Sequence, residues 1–101
     1  MENFKTRDKK ARKEKTIRIK EEITYRIIDN EAAIVRPSDG TLIILNESGT
    51  FIFKNLIKGL SIDKILNKIV REFDVDKNRA ERDLKSFLRT MKKESIIEEI
   101  E

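Results

Sequence analysis

Near residue 46 the spacing of apolar side chains changes from two to three or four, which divides the chain into a sheet part and a helical part. Before the change, Ile23, Tyr25 and Ile27 alternate with Thr24 and Arg26, the pattern of a half-buried strand. Asp29-Asn30-Glu31 reads as a polar turn and Ala32 to Val35 as a second strand. Pro37-Ser38-Asp39-Gly40 is the strongest turn signal, because Pro fixes one dihedral and Gly permits a positive one. Thr41 to Leu45 supplies a third strand, and such short connections favour an antiparallel meander. Ile17 and Ile19 allow a brief extended segment ahead of it.

Past the change, Asn46 is a good N-cap for a helix lined by Phe51, Ile52, Phe53 and Leu56, and Gly59 is its stop. Ser61 caps a second helix carrying Ile62, Ile65, Leu66, Ile69, Val70 and Phe73 at helical spacing. A third begins near Asp76 and gathers Ala80, Leu84, Phe87, Leu88 and Met91 on one face, with Ser95 to Glu101 read as its prolongation or cap. The Phe and Met positions fall at core spacing, so they read as packing and not as a ligand cage. The expected fold class is α+β, a three-stranded antiparallel sheet followed by three helices.

The chemistry available to such a fold is narrow. With 101 residues there is room for one small domain, and the chain holds no His, Cys or Trp. That removes disulfides, thiolate metal sites, thiol nucleophiles and the usual near-neutral proton carrier. Asp74-Val75-Asp76 opens like a calcium loop, but Arg79 and Lys85 stand where that loop needs Gly and Glu. Gly40, Gly49 and Gly59 are isolated, so there is no phosphate-cradling loop. Lys, Asp, Glu and Tyr remain, so enzyme chemistry is poorly supplied; the expectation is a protein that is not an enzyme and holds no cofactor or metal. No apolar run exceeds four residues, which excludes a spanning helix, and no signal peptide is evident. A cytoplasmic location is expected.

Charge is unevenly placed. Residues 1–20 carry nine basic and three acidic side chains, whereas residues 21–101 carry fourteen basic and sixteen acidic ones. The chain therefore divides into a basic, flexible tail at 1–20 and a folded domain at 21–101. On the third helix, Arg82, Lys85, Arg89 and Lys92 share one flank, and Asp83 and Glu94 share the other.

From about Ile23 to Ile97 the chain resembles the PqqD-like family, the precursor-peptide recognition elements. The resemblance rests on Tyr25-Arg26, Glu31 through Val35, Asp39-Gly40, Leu45-Asn46, Gly49, Ile52-Phe53, Gly59, Ser61, Ile65, Phe73-Asp74-Val75, Asp83 and Phe87-Leu88. It implies a winged-helix-like order of sheet and helices. It also implies binding of the leader segment of a ribosomally made precursor peptide, and presentation of that precursor to a modifying enzyme. Such an enzyme is a radical S-adenosylmethionine enzyme, a protease or a cyclase. The leader would lie along the edge of the third strand beside the third helix. This makes Leu42, Ile43, Ile44, Arg82, Lys85, Arg89 and Lys92 the expected peptide-binding residues. The strand would offer backbone pairing and the cations would meet leader carboxylates. The open edge also allows a monomer or a weak homodimer. Two other readings compete, a winged-helix nucleic-acid-binding protein and a protein–protein assembly domain. The first is disfavoured by the net negative balance of residues 21–101.

Overall fold

Apolar alternation followed by three capped amphipathic segments produces the expected architecture. The structure, a computed structural model, describes residues 16–100. In chain order the elements are β1 (Thr16–Ile19), β2 (Thr24–Ile28), β3 (Glu31–Arg36), β4 (Thr41–Ile44), α1 (Glu47–Ile57), α2 (Ile62–Phe73), α3 (Lys77–Lys93) and β5 (Ile97–Ile100). Strands β2, β3 and β4 form an antiparallel sheet in that order, so β4 is an edge strand.

The three helices begin where the caps predict. Asn46, Ser61 and Asp76 each accept a hydrogen bond from the backbone N–H three residues on, those of Gly49, Lys64 and Arg79. One face of the sheet and the apolar stripes of the helices enclose a core containing Ile34, Phe53, Ile65, Leu84 and Ile96, all essentially without exposure. Phe53 also meets the Tyr25 ring edge-on at 5.2 Å.

A buried hydroxyl joins helix to sheet. Thr50 on α1 accepts from the Ala32 N–H at 2.9 Å and donates to the Leu45 carbonyl at 3.3 Å, taking the place of one ladder bond between β3 and β4. Thr50→Val preserves the shape and leaves both backbone groups unpaired in a dry interior. We expect a loss of about 1–3 kcal/mol in urea unfolding, where an unchanged midpoint would show the bridge to be dispensable.

Two expectations are corrected here. Of the segment Ser95 to Glu101, the described residues Ser95 to Ile100 do not prolong the third helix. Ser95 adopts a left-handed conformation (φ 63°), the chain turns, and Ile97–Ile100 forms β5. Its partner is β1, with Ile19 opposite Ile97 and Thr16 opposite Ile100. The boundary drawn at residue 20 accordingly falls inside the fold, because Thr16–Ile19 belongs to this two-stranded ribbon. Residues 1–15 of the expected tail lie outside the described residues.

Candidate functional site

Strand β4 has one neighbour and therefore one open side. The Leu45 N–H donates to the Ala32 carbonyl at 2.9 Å. Antiparallel alternation then turns the backbone groups of Ile43 toward β3 and those of Leu42 and Ile44 toward the open edge. The side chains of Leu42 and Ile44 are also exposed, at 59% and 53%, while Ile43 turns inward and packs against the core. Of the three expected strand residues, Leu42 and Ile44 thus face solvent through both backbone and side chain.

Helix α3 runs alongside this edge and is tied to it at both ends. At the head, Arg36 donates through Nη1 to the Glu94 carbonyl and to Glu94 Oε1, and through Nη2 to Thr41 and Asp39. Hydrogen bonding to Asp39 and then to Glu94 raises the Arg36 pKa. The Asp39 carboxyl is correspondingly held well below its usual range, first by Arg36 and then by Thr41. At the foot, Gly49 lets α1 approach closely. A Cβ there would lie 3.3 Å from the Phe87 ring and 3.5 Å from Leu45 Cβ. Between these two ties β4 and α3 are not closely packed on each other, which leaves a groove.

Beside this foot, between the helices, lies a cavity of about 400 Å³ lined by Asn46, Gly49, Ile52, Phe73, Val75 and Phe87, with Arg79 and Asp83 at the polar side. Arg79 Nε stands 3.7 Å from Asp83 Oδ2, so even this cation is matched. The arrangement can pair with an added strand and take an apolar side chain at its end. A hollow of about 450 Å³ beside Ile17, Tyr25, Ile57 and Leu60 is slightly larger, but it abuts β1 and not the open edge. Among the described residues no cluster of His, Cys, Asp or Glu could hold a metal, and no helix is long and apolar enough to cross a membrane.

The four expected cations do share a flank of α3, and all are exposed. It is the flank away from β4. Asp83 and Phe87 line the cavity, Phe87 also faces Gly49, and Glu94 reaches Arg36, whereas Lys92 pairs with Glu99 on β5. Lys85 lies 4.0 Å from Glu81 within the helix. Sequence reasoning separated the two flanks of α3 but missed Arg79, Asp83 and Phe87 as cavity residues. Periodicity gives the sides of a helix without saying which one faces the strand.

Residues 31–97 match the family model described as coenzyme PQQ synthesis protein D (PqqD). Among solved structures, TbiB1 in complex with the TbiA(β) leader peptide is 30% identical, with a TM-score of 0.78 covering 80% of this chain and 94% of that one. A lasso peptide synthetase B1 complexed with its leader peptide is 22% identical and shares the fold, with a TM-score of 0.76 covering 82% and 98%. No curated protein matches the chain.

Proposed function

Because the chain belongs to the PqqD family, we propose that it is a non-catalytic protein that binds the leader segment of a ribosomally made precursor peptide and presents it to a modifying enzyme. The observation that carries this reading is the open β4 edge beside a groove on α3, in a fold shared with a protein 30% identical that was solved with a leader peptide. The leader adds a strand to β4 through the backbone groups of Leu42 and Ile44, and Ile43 holds that strand to the sheet. An apolar leader side chain occupies the cavity beside Phe87. The work is done in the cytoplasm, where such precursors are made.

Arg82, Lys85, Arg89 and Lys92 contribute at longer range, to precursor residues that continue past the groove. Exposed ion pairs are worth about 0–1 kcal/mol each, so they tune encounter more than affinity. Charge reversal at Arg82 and Arg89 should therefore change leader affinity less than about threefold at physiological salt, with a larger effect at low salt. A tenfold loss at physiological salt, measured by fluorescence polarisation, would instead lay the leader across that flank.

The test of the function is affinity capture by the full chain from extract of its native host, with and without nuclease treatment, followed by peptide-level mass spectrometry. A short precursor peptide in the eluate, together with a radical S-adenosylmethionine enzyme, a protease or a cyclase, is the expected result. Ribosomal or DNA-associated proteins that disappear on nuclease treatment, with no peptide, would overturn it in favour of nucleic acid.

A further inference from the structure

Arg36 ends the row of β3 side chains that points inward. Ala32 and Ile34 precede it on that face, both without exposure. Register sets Arg36 opposite Thr41, the first residue of β4. Its guanidinium therefore leaves the sheet on the side of the helices and reaches Glu94, 58 residues away at the C-cap of α3. Donors are wanted there, because the last carbonyls of a helix have no partner within it and form its negative end.

Every N–H of this guanidinium has an acceptor. Nε donates to Asp39 Oδ1 at 3.0 Å, and Nη2 donates to Asp39 Oδ2 and Thr41 Oγ1, both at 2.9 Å. Nη1 donates to Glu94 Oε1 at 3.0 Å and to the Glu94 carbonyl. No donor is left over for a ligand. The Arg36 side chain is 17% exposed, whereas every other paired cation among the described residues is at least 50% exposed. One side chain thus fastens together the end of β3, its turn, the start of β4 and the cap of α3, at the head of the groove. Helix α3 packs on α2 and β5 rather than on β4. Close packing therefore does not fix its distance from the open edge, and at the head the Arg36 bonds do.

Resting on the leader-binding reading above, we propose that Arg36 is a positioning residue for leader binding, which holds α3 and the start of β4 at one spacing and does not touch the leader. The groove is then ready-made before the leader arrives, and the leader is spared the cost of arranging it. Without the clasp α3 samples other positions, and apparent affinity falls in proportion to the fraction of molecules that still accept the leader. Such a loss lies in the association rate, whereas loss of a direct contact lies mainly in dissociation.

The test uses the full chain and Arg36→Lys, since an ammonium keeps the charge but cannot span Asp39, Thr41 and Glu94 at once. The probe is the labelled synthetic leader of the precursor recovered by the affinity capture described above. The variant, folded by circular dichroism, should bind it at least fivefold more weakly. Its association rate should fall by that same factor, with the dissociation rate within twofold of wild type. Unchanged affinity in the folded variant, even with a lower urea midpoint, would reduce the clasp to fold stability and overturn the inference. A loss carried by faster dissociation would overturn it too, by making Arg36 a leader contact. Capture of no precursor, or failure of the leader to bind the wild type, would overturn the underlying reading itself. If Arg36→Lys does not fold, Glu94→Ala, which removes one acceptor and leaves the bonds to Asp39 and Thr41, replaces it under the same criteria.

Discussion

Ile44→Pro is expected to fold and to lose leader affinity by at least tenfold, whereas Ile43→Pro is expected not to fold stably. The two positions are adjacent and chemically identical, so the contrast isolates backbone direction. At residue 44 the N–H points to the open edge and Pro removes a donor that the sheet does not use. An added peptide strand does use it, and the pyrrolidine ring stands where that strand must approach. At residue 43 the N–H points to β3 and the side chain packs on the core, so Pro costs a ladder bond and core contacts together. Circular dichroism establishes which variants fold, and fluorescence polarisation with the synthetic leader measures affinity. A folded Ile44→Pro protein that binds the leader like the wild type would eliminate strand addition as the binding mode.

Phe53→Ala should destabilise the domain by about 3–5 kcal/mol, most of what a chain of this size possesses. The ring is fully buried on α1 and meets the Tyr25 ring edge-on at 5.2 Å, so truncation leaves a void in the core. Because α1 also carries Gly49 and Thr50, its displacement would disturb the foot of the groove and the seam between β3 and β4. Urea unfolding of the variant should show a midpoint lowered by more than half, and a loss below about 1 kcal/mol would mean that the core repacks around the gap.

Much of this fold was legible because its signals are local. Asn46, Ser61 and Asp76 act as caps through their own side chains on their own helices. The turn at Pro37–Gly40 closes with Gly40 at φ 72° and needs no distant partner. What escaped were features decided by distant contacts. Ile96-Ile97-Glu98-Glu99-Ile100 suits the end of a helix as well as a strand, and pairing with Thr16–Ile19 from the other end of the chain settles it. Similarly, the apolar strand Leu42-Ile43-Ile44 has no alternation to show which residue faces out. That was fixed by its register with β3. The cations of α3 share a flank as helical spacing predicts, but the tie between Arg36 and Glu94 turns the other flank to β4.

The pairing of Thr16 with Ile100 has a consequence for how the domain is tethered. Polypeptide preceding the first and polypeptide following the second depart from neighbouring points at one corner. The ribbon that makes this corner adjoins the cationic flank of α3, through Lys92 and Glu99, and not the flank that borders β4. Thr16 and Ile100 therefore lie together on the side of α3 opposite β4. The same geometry serves equally well as a free-standing adaptor or as a module spliced into a larger polypeptide.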